Sequence, residues 1–386
     1  MNRDLLLLGL SLFTWGIGEG MFLYFQSIYL QEWGADPVQI GVILGSMGIG
    51  MAVVQAPAGH LADRVGSRPV MWASWLTGLT AAAVMAIANS LEAFVVGLFL
   101  YGLTSFVVAP MNSYATSVRG KWSVARALTI ISAFFNLGAV IGPILGGVIG
   151  TRYGLRTVYG IATGIFVIST LIILATRRPP VEEHAGDQHD SSSLFRYRGF
   201  TYFLPLAFLI MLATYMPQPL TPNFLQEKGL SLEQIGQLGA VGSLGNAVVM
   251  LGLGFLPALR GIYTGMGLIA LFMLLLWQGN SPLVFAVGYF FVSGYRLCRS
   301  MALAFARPLI PPNRTGLAYG LVETANSLAI IAAPPLAGIL YDRDPRLMYS
   351  GGLVLMAAIF LLSVVVLPIL QRSRLKNTVL PIPRQE

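Results

Sequence analysis

Charge is scarce in this sequence. Only 10% of its 386 residues are Asp, Glu, Lys or Arg, against 55% hydrophobic, and the mean hydropathy is +0.72. Soluble domains carry about a quarter charged residues, so the deficit excludes a sizeable soluble domain and leaves a polytopic membrane protein whose first partner is the lipid bilayer. Cysteine is almost absent. Cys298 alone excludes an intrachain disulfide, a Cys-based zinc site and a Cys-ligated iron-sulfur cluster. The three histidines, His60, His184 and His189, fall in predicted loops at no metal-binding spacing, so no metal and no cofactor is expected.

What the chain has instead is apolar runs. With ~20 apolar residues per crossing, the spacing predicts twelve transmembrane helices, near 5–31, 37–58, 69–88, 92–116, 124–150, 156–176, 200–224, 232–257, 262–279, 282–306, 315–340 and 347–370. The 43 glycines and 22 prolines suit membrane helices, where small residues let backbones approach and neighbours satisfy freed carbonyls. The apolar run after Met1-Asn2-Arg3-Asp4 continues to about Tyr29 without a small-residue cleavage site, so it reads as a retained first span rather than a signal peptide. One long polar stretch, Arg177 to Arg198 with Pro179-Pro180 and Ser191 to Ser193, divides the chain. The expected organisation is a six-helix bundle over 1–176, a linker over 177–199, a second six-helix bundle over 200–371 and a tail over 372–386.

Lysines and arginines accumulate in short cytoplasmic loops. With the first residue inside, 17 fall on the inner side and five, Arg152, Arg156, Lys228, Arg343 and Arg346, on the outer side. The expectation is a multi-pass plasma (inner) membrane protein with both termini and the linker cytoplasmic. The net charge of +8 then follows from topology and calls for no nucleic-acid partner.

The two halves echo each other. Gln39-Ile40-Gly41, Ala52-Val53-Val54 and Gly59 match Gln234-Ile235-Gly236, Ala247-Val248-Val249 and Gly254 at a constant offset of 195, and Pro143 and Gly146 match Pro335 and Gly338 at 192. Such symmetry points to a duplicated six-helix unit.

Two stretches carry a family resemblance. Gly59, Leu61, Ala62, Asp63, Arg64, Gly66 and Arg68, read as a charged turn between spans 2 and 3, resemble the G-x-L-a-D-r-x-G-r signature of the major facilitator superfamily of secondary transporters, with Ser67 departing from the usual basic residue. Gly138-Ala139-Val140-Ile141-Gly142-Pro143-Ile144-Leu145-Gly146-Gly147 resembles the G-x-x-x-G-P-x-x-G-G pattern associated with proton-linked drug and small-molecule exporters. The resemblance implies an all-α fold of two pseudo-symmetric six-helix bundles that rock about a central site, and a transporter rather than an enzyme. A fourth-helix arginine frequent in the family has no counterpart, because Leu98 stands ahead of Gly102. The second-half copy of the first signature has Ala258 where the first has Asp63.

Asp63 is placed to accept amide hydrogen bonds at a helix N-terminus, where the dipole favours an anion. The start of span 11 near Thr315 and Gly316 is the candidate, so Gly59, Asp63, Arg64, Gly66 and Arg68 form a possible conformational latch, the alternative being a solvated hairpin that enforces topology. Gly138, Gly142 and Gly146 share a helix face for close packing, Gly147 adjoins it, and Pro143 adds a bend.

Ionisable groups inside spans are costly and face partners or a water-filled cavity. Here they are Glu19, Arg296, Arg299 and Glu323. Counting ~1.5 Å per residue puts Arg299 and Glu323 at one depth, as an ion pair, and Glu19 and Arg296 nearer the middle. These groups either neutralise one another structurally or serve protons and substrate. Glu19, between Gly18 and Gly20, is the candidate for proton exchange. Asn136, Gln218 and Asn326 offer hydrogen bonds, and Tyr101 and Tyr215 offer ring faces. The expected function is proton-coupled export of an amphipathic small molecule by a monomeric alternating-access transporter. Uptake or exchange of an organic anion clamped by Arg296 and Arg299, and lipid translocation, are alternatives within transport. Outside it stand a membrane sensor, which would lack an output domain, and an integral membrane enzyme, for which no clustered His, Cys or Asp residues are present.

Overall fold

The echo at Gln39 and Gln234 marks two equivalent helix starts. Asp36 and Gln39, and again Ser231 and Gln234, form reciprocal capping boxes in which each side chain satisfies the other residue's backbone amide. The echo also runs further back than Gln39. Leu30-Gln31-Glu32 and Gly34 match Leu225-Gln226-Glu227 and Gly229, and both glycines take a positive φ, 87° and 85°, at the turn into the next helix.

The computed structural model describes residues 2–177, 197–311 and 315–377. Within them the helices are α1 (Arg3–Leu23), α2 (Gln26–Glu32), α3 (Pro37–Val65), α4 (Ser67–Ile87), α5 (Leu91–Leu103), α6 (Val108–Ser117), α7 (Val124–Tyr153), α8 (Leu155–Leu174), α9 (Arg198–Tyr215), α10 (Thr221–Glu227), α11 (Leu232–Leu253), α12 (Ala258–Gln278), α13 (Pro282–Phe291), α14 (Gly294–Ala306), α15 (Thr315–Arg343) and α16 (Leu347–Asn377). Among the described residues, eleven stretches are long and apolar enough to cross a membrane, and α13 with α14 in tandem makes the twelfth crossing. The linker core, 178–196, and the end of the tail, 378–386, lie outside the described residues.

Four crossings expected as single helices are split: the first (α1, α2), fourth (α5, α6), seventh (α9, α10) and tenth (α13, α14). They recur every third helix. In the seventh, Pro217 and Pro219 remove amide donors. In the tenth, α14 begins at Gly294, where a Cβ would overlap the Gly265 carbonyl oxygen of α12. In the fourth, a 3-10 turn, Thr104–Val107, joins the two pieces.

The charged stretch from Gly59 to Arg68, expected as a turn, is mostly helix. α3 continues to Val65 and α4 begins at Ser67, so Gly66, at φ 91°, alone makes the reversal. With 29 residues, α3 is about 44 Å long against a hydrocarbon core of ~30 Å. Its last turns therefore project beyond lipid, where charged side chains are hydrated without unwinding the helix. Gly59 is helical and makes no use of a glycine's left-handed freedom.

Helices α1 to α8 pack among themselves, as do α9 to α16. In the first set, α1 and α7 meet backbone to backbone. A Cβ on Gly138, Gly142 or Gly146 would overlap the carbonyl oxygens of Phe13, Ile17 and Met21, and one on Gly16 would overlap that of Phe135. The two sets join through α3 on α15 and α7 on α11. Here the two sequence echoes meet. Gly41 lies against the Pro334 carbonyl and Pro335, Gly236 against the Pro143 carbonyl, Gly338 against that of Pro37, and Gly147 within 2.9 Å, for an added Cβ, of Glu233 Cα. All these contacts fall at the end of the bundle remote from Asn2, the distal end. Buried Asn223 of α10 donates there to the Ser27 carbonyl and to Gln31 Oε1 of α2, at 3.1 and 2.6 Å, and the Glu233 amide donates to Thr151 Oγ1 at 3.0 Å. Toward the other end, Val53, Leu61 and Val65 of α3 and Val248 and Leu251 of α11 are exposed.

Overpacking such a contact costs about 1–3 kcal/mol, enough to change a two-state ratio about fivefold or more. Gly236→Ala and Gly41→Ala should therefore favour a form separated at the distal end. Spin labels at exposed Asp36 and Asp344 should report a longer distance in both variants and an unchanged one in Gly160→Ala, where an added Cβ meets nothing within 4 Å.

Candidate functional site

Below the distal contacts, a crevice of about 50 Å³ opens between the two helix sets. Glu19, Gly16, Gly20 and Leu23 of α1, Tyr24, Phe135, Asn136 and Ala139 of α7, Ser243 and Asn246 of α11 and Arg296 of α14 line it. A drug-sized ligand needs roughly 300–1,000 Å³, so this space alone would take only part of one. Gly16 and Gly20 let α1 lie on α7, which turns the half-buried Glu19 toward the opposite helix set.

Glu19 faces the Tyr101 hydroxyl of α5 and the Trp15 indole, with Arg296 across the crevice. Behind it the Trp15 ring stacks on Tyr101 at 6.3 Å and packs on Phe166 at 4.4 Å, and Trp75 donates to Ser169 Oγ at 3.0 Å. This aromatic block fixes the Glu19 side of the site. The roof is Tyr24, whose hydroxyl shares a 3.3 Å hydrogen bond with Ser243 Oγ across the two sets; Gly239 makes room for its ring.

Arg299 and Glu323 form a forked ion pair between α14 and α15, with Nε to Oε1 and Oε2 at 3.1 and 3.0 Å and a terminal guanidinium nitrogen to Oε2 at 2.8 Å. In this conformation Arg299, one of the two arginines of the expected anion clamp, is engaged by both Glu323 oxygens. Arg296 is exposed toward the crevice and makes no ion pair or hydrogen bond among the described residues.

Three of the other candidates support the site from outside it. The Tyr295 hydroxyl donates to buried Asn326 Oδ1 at 2.8 Å, and the Tyr295 ring packs on Tyr215 at 5.2 Å. Gln218 turns back onto the Thr214 carbonyl at 2.9 Å in the break between α9 and α10. Asn136 donates to the Ser132 carbonyl at 2.8 Å while its side chain stays at the crevice. Leu98 is fully buried. Tyr24, Ser243 and Asn246 were missed by the sequence reading; Asn246, an amide within an apolar run, is the one that the rule for polar residues in spans would have flagged.

Of the latch, the side chains of Gly59, Asp63, Thr315 and Gly316 lie outside the described residues. Arg64 is exposed. Arg68 turns toward its own helix set, its guanidinium 3.8 Å from the Trp72 ring centre, and Trp72 donates to the Ile173 carbonyl at 3.0 Å and to Thr176 Oγ1 at 3.2 Å. Arg68 thus braces α4 on α8 and does not reach across.

The Arg299–Glu323 pair is partly exposed, 45% and 24%, so its net contribution is small. A double-mutant cycle of Arg299→Ala and Glu323→Ala, read by thermal denaturation, should give a coupling of about 1 kcal/mol or less; a coupling of several kcal/mol would contradict the exposed geometry.

A family model described as the Major Facilitator Superfamily matches residues 8–263. An uncharacterised transporter of this type from Methanocaldococcus jannaschii is 21% identical over 355 residues, 89% of this chain and 92% of that protein. The class C tetracycline resistance protein of Escherichia coli is 26% identical over 356 residues, 86% of this chain and 87% of that protein. Among solved structures, a mutant of the nucleoside transporter NupG shares the fold with a TM-score of 0.81 at 14% identity, over 96% of this chain and 99% of that one. The chain belongs to the Major Facilitator Superfamily, and it is a transporter, not an enzyme.

Proposed function

We propose that this protein exports an amphipathic small molecule in exchange for protons, by alternating access between two six-helix bundles, 1–176 and 200–371, joined by a linker over 177–199 and followed by a tail over 372–386. The observation that carries the reading is the crevice where Glu19 of one set faces Arg296 of the other. A carboxylate at that depth changes its protonation as the cavity changes sides, which ties a proton to the same motion that moves the substrate. The charged and titratable groups facing it are Tyr101, Tyr24 and Arg296.

With both termini on the cytoplasmic side of the plasma (inner) membrane, as the distribution of Lys and Arg supports, the distal glycine contacts close the outer side. The crevice then faces inward, ready to load. Relatives named for tetracycline and quinolone resistance support export. Asp63 at the start of α15 is the proposed latch of the opposite, outward-facing state, worth about 0.3–1 kcal/mol, up to ~2 in a partly buried geometry. The unit of function is the monomer. A second reading, uptake or exchange of an organic anion, is favoured by one feature, the unpaired Arg296.

In liposomes, substrate movement should follow an imposed pH gradient and collapse with a protonophore. Glu19→Gln should abolish substrate-driven proton movement while the protein remains folded; unchanged coupling would place the proton elsewhere. Asp63→Asn should slow turnover with binding intact, and loss of binding with normal turnover would overturn the latch.

A further inference from the structure

Glu19 and Arg296 line one crevice but belong to opposite helix sets, and each discriminates against a singly charged substrate. A lone cation drawn to Glu19 meets Arg296; a lone anion drawn to Arg296 meets ionised Glu19. A neutral molecule gains from neither. We infer that the head group received in this crevice is dipolar: a substituted amine directed at Glu19 and a carboxylate or similar anion directed at Arg296, carried on an apolar body.

Four further features fit this chemistry. Asn246 lines the crevice and its buried amide oxygen accepts no hydrogen bond; a turn of the amide would bring that acceptor to an ammonium or amine N–H. The apolar side chains of Leu23 and Phe135 lie in the same wall, next to the polar groups, where an apolar body would follow. The 50 Å³ of open space suits a head group of a few heavy atoms. Arg299 does not compete for the anion, because Glu323 already binds it.

The inference rests on the transport reading and deepens it. An ammonium and a proton would compete for the same Glu19 carboxylate, so loading one releases the other. Arg296 supplies the selection against simple amines.

Binding to the full chain in lipid nanodiscs, read by equilibrium dialysis and tryptophan fluorescence, tests this with four probes sharing a phenylhexyl body and differing only in the head: an α-amino acid, a carboxylic acid, a primary amine and an alcohol. The amino acid should bind about tenfold or more tighter than each of the others. Glu19→Gln should erase its advantage over the acid, and Arg296→Gln its advantage over the amine. A smaller advantage in the unmodified protein, or binding of none of the four, overturns the inference without recourse to a variant. Proton coupling is read separately in liposomes. Dipolar selectivity without proton movement would discard proton exchange and keep this inference; proton movement with a preference for the plain acid would do the reverse.

Discussion

The two helix sets touch through backbone. At the distal end Gly41 and Gly338 bring α3 and α15 together, and Gly236 and Gly147 bring α7 and α11 together, each glycine opposite a carbonyl or Cα of the other set. Contacts of this kind have no side chains to interdigitate, so they gain dispersion energy without being locked by packed knobs. In the proposed alternating-access cycle this interface opens, and such contacts suit that. The few hydrogen bonds across it, from Asn223 and the Glu233 amide, add direction without a buried charge that separation would strand.

Everything else in the site takes its position from that contact. α7 carries glycines on one face for α1, and Pro143 and Gly147 on the adjoining face for α11, so one helix registers Glu19 against Asn246 and Arg296. The duplicated architecture is symmetric in backbone and asymmetric in charge. The carboxylate and its aromatic block lie in the first half; the free guanidinium and the neutralised Arg299–Glu323 pair lie in the second. The two walls of the crevice therefore differ in chemistry.

Much of this was legible in the sequence because it is periodic. The offset of 195 between Gly41 and Gly236 pointed to the duplicated unit, and the four-residue spacing of Gly138, Gly142 and Gly146 pointed to close packing by another helix; that the first pair joins the halves and the second set meets α1 came from the structure. Depth counting paired Arg299 with Glu323, since intramembrane charges are few enough to be matched by position. Prolines mark the seventh crossing, at Pro217 and Pro219, and the fourth, where Pro110 follows the 3-10 turn in the first turn of α6; the splits at Tyr24 and Val292 have no proline and left no comparable trace. The stretch from Gly59 to Arg68 read as a turn because its charges were taken to end the helix, whereas a helix longer than the bilayer carries them into water. Tyr24 and Ser243 escaped because a hydroxyl in an apolar run has the same appearance whether it joins helices or meets a ligand; Asn246 was open to the same rule that singled out Asn326.

In the proposed cycle, substrate crosses only when the two helix sets part at the distal glycine contacts. A disulfide between cysteines replacing Thr151 and Glu233, where the Glu233 backbone amide lies 3.0 Å from the Thr151 hydroxyl, tests this, because the native Cys298 is buried and does not interfere. Oxidation should stop substrate movement in liposomes and reduction should restore it. Full transport by the cross-linked protein would contradict the account.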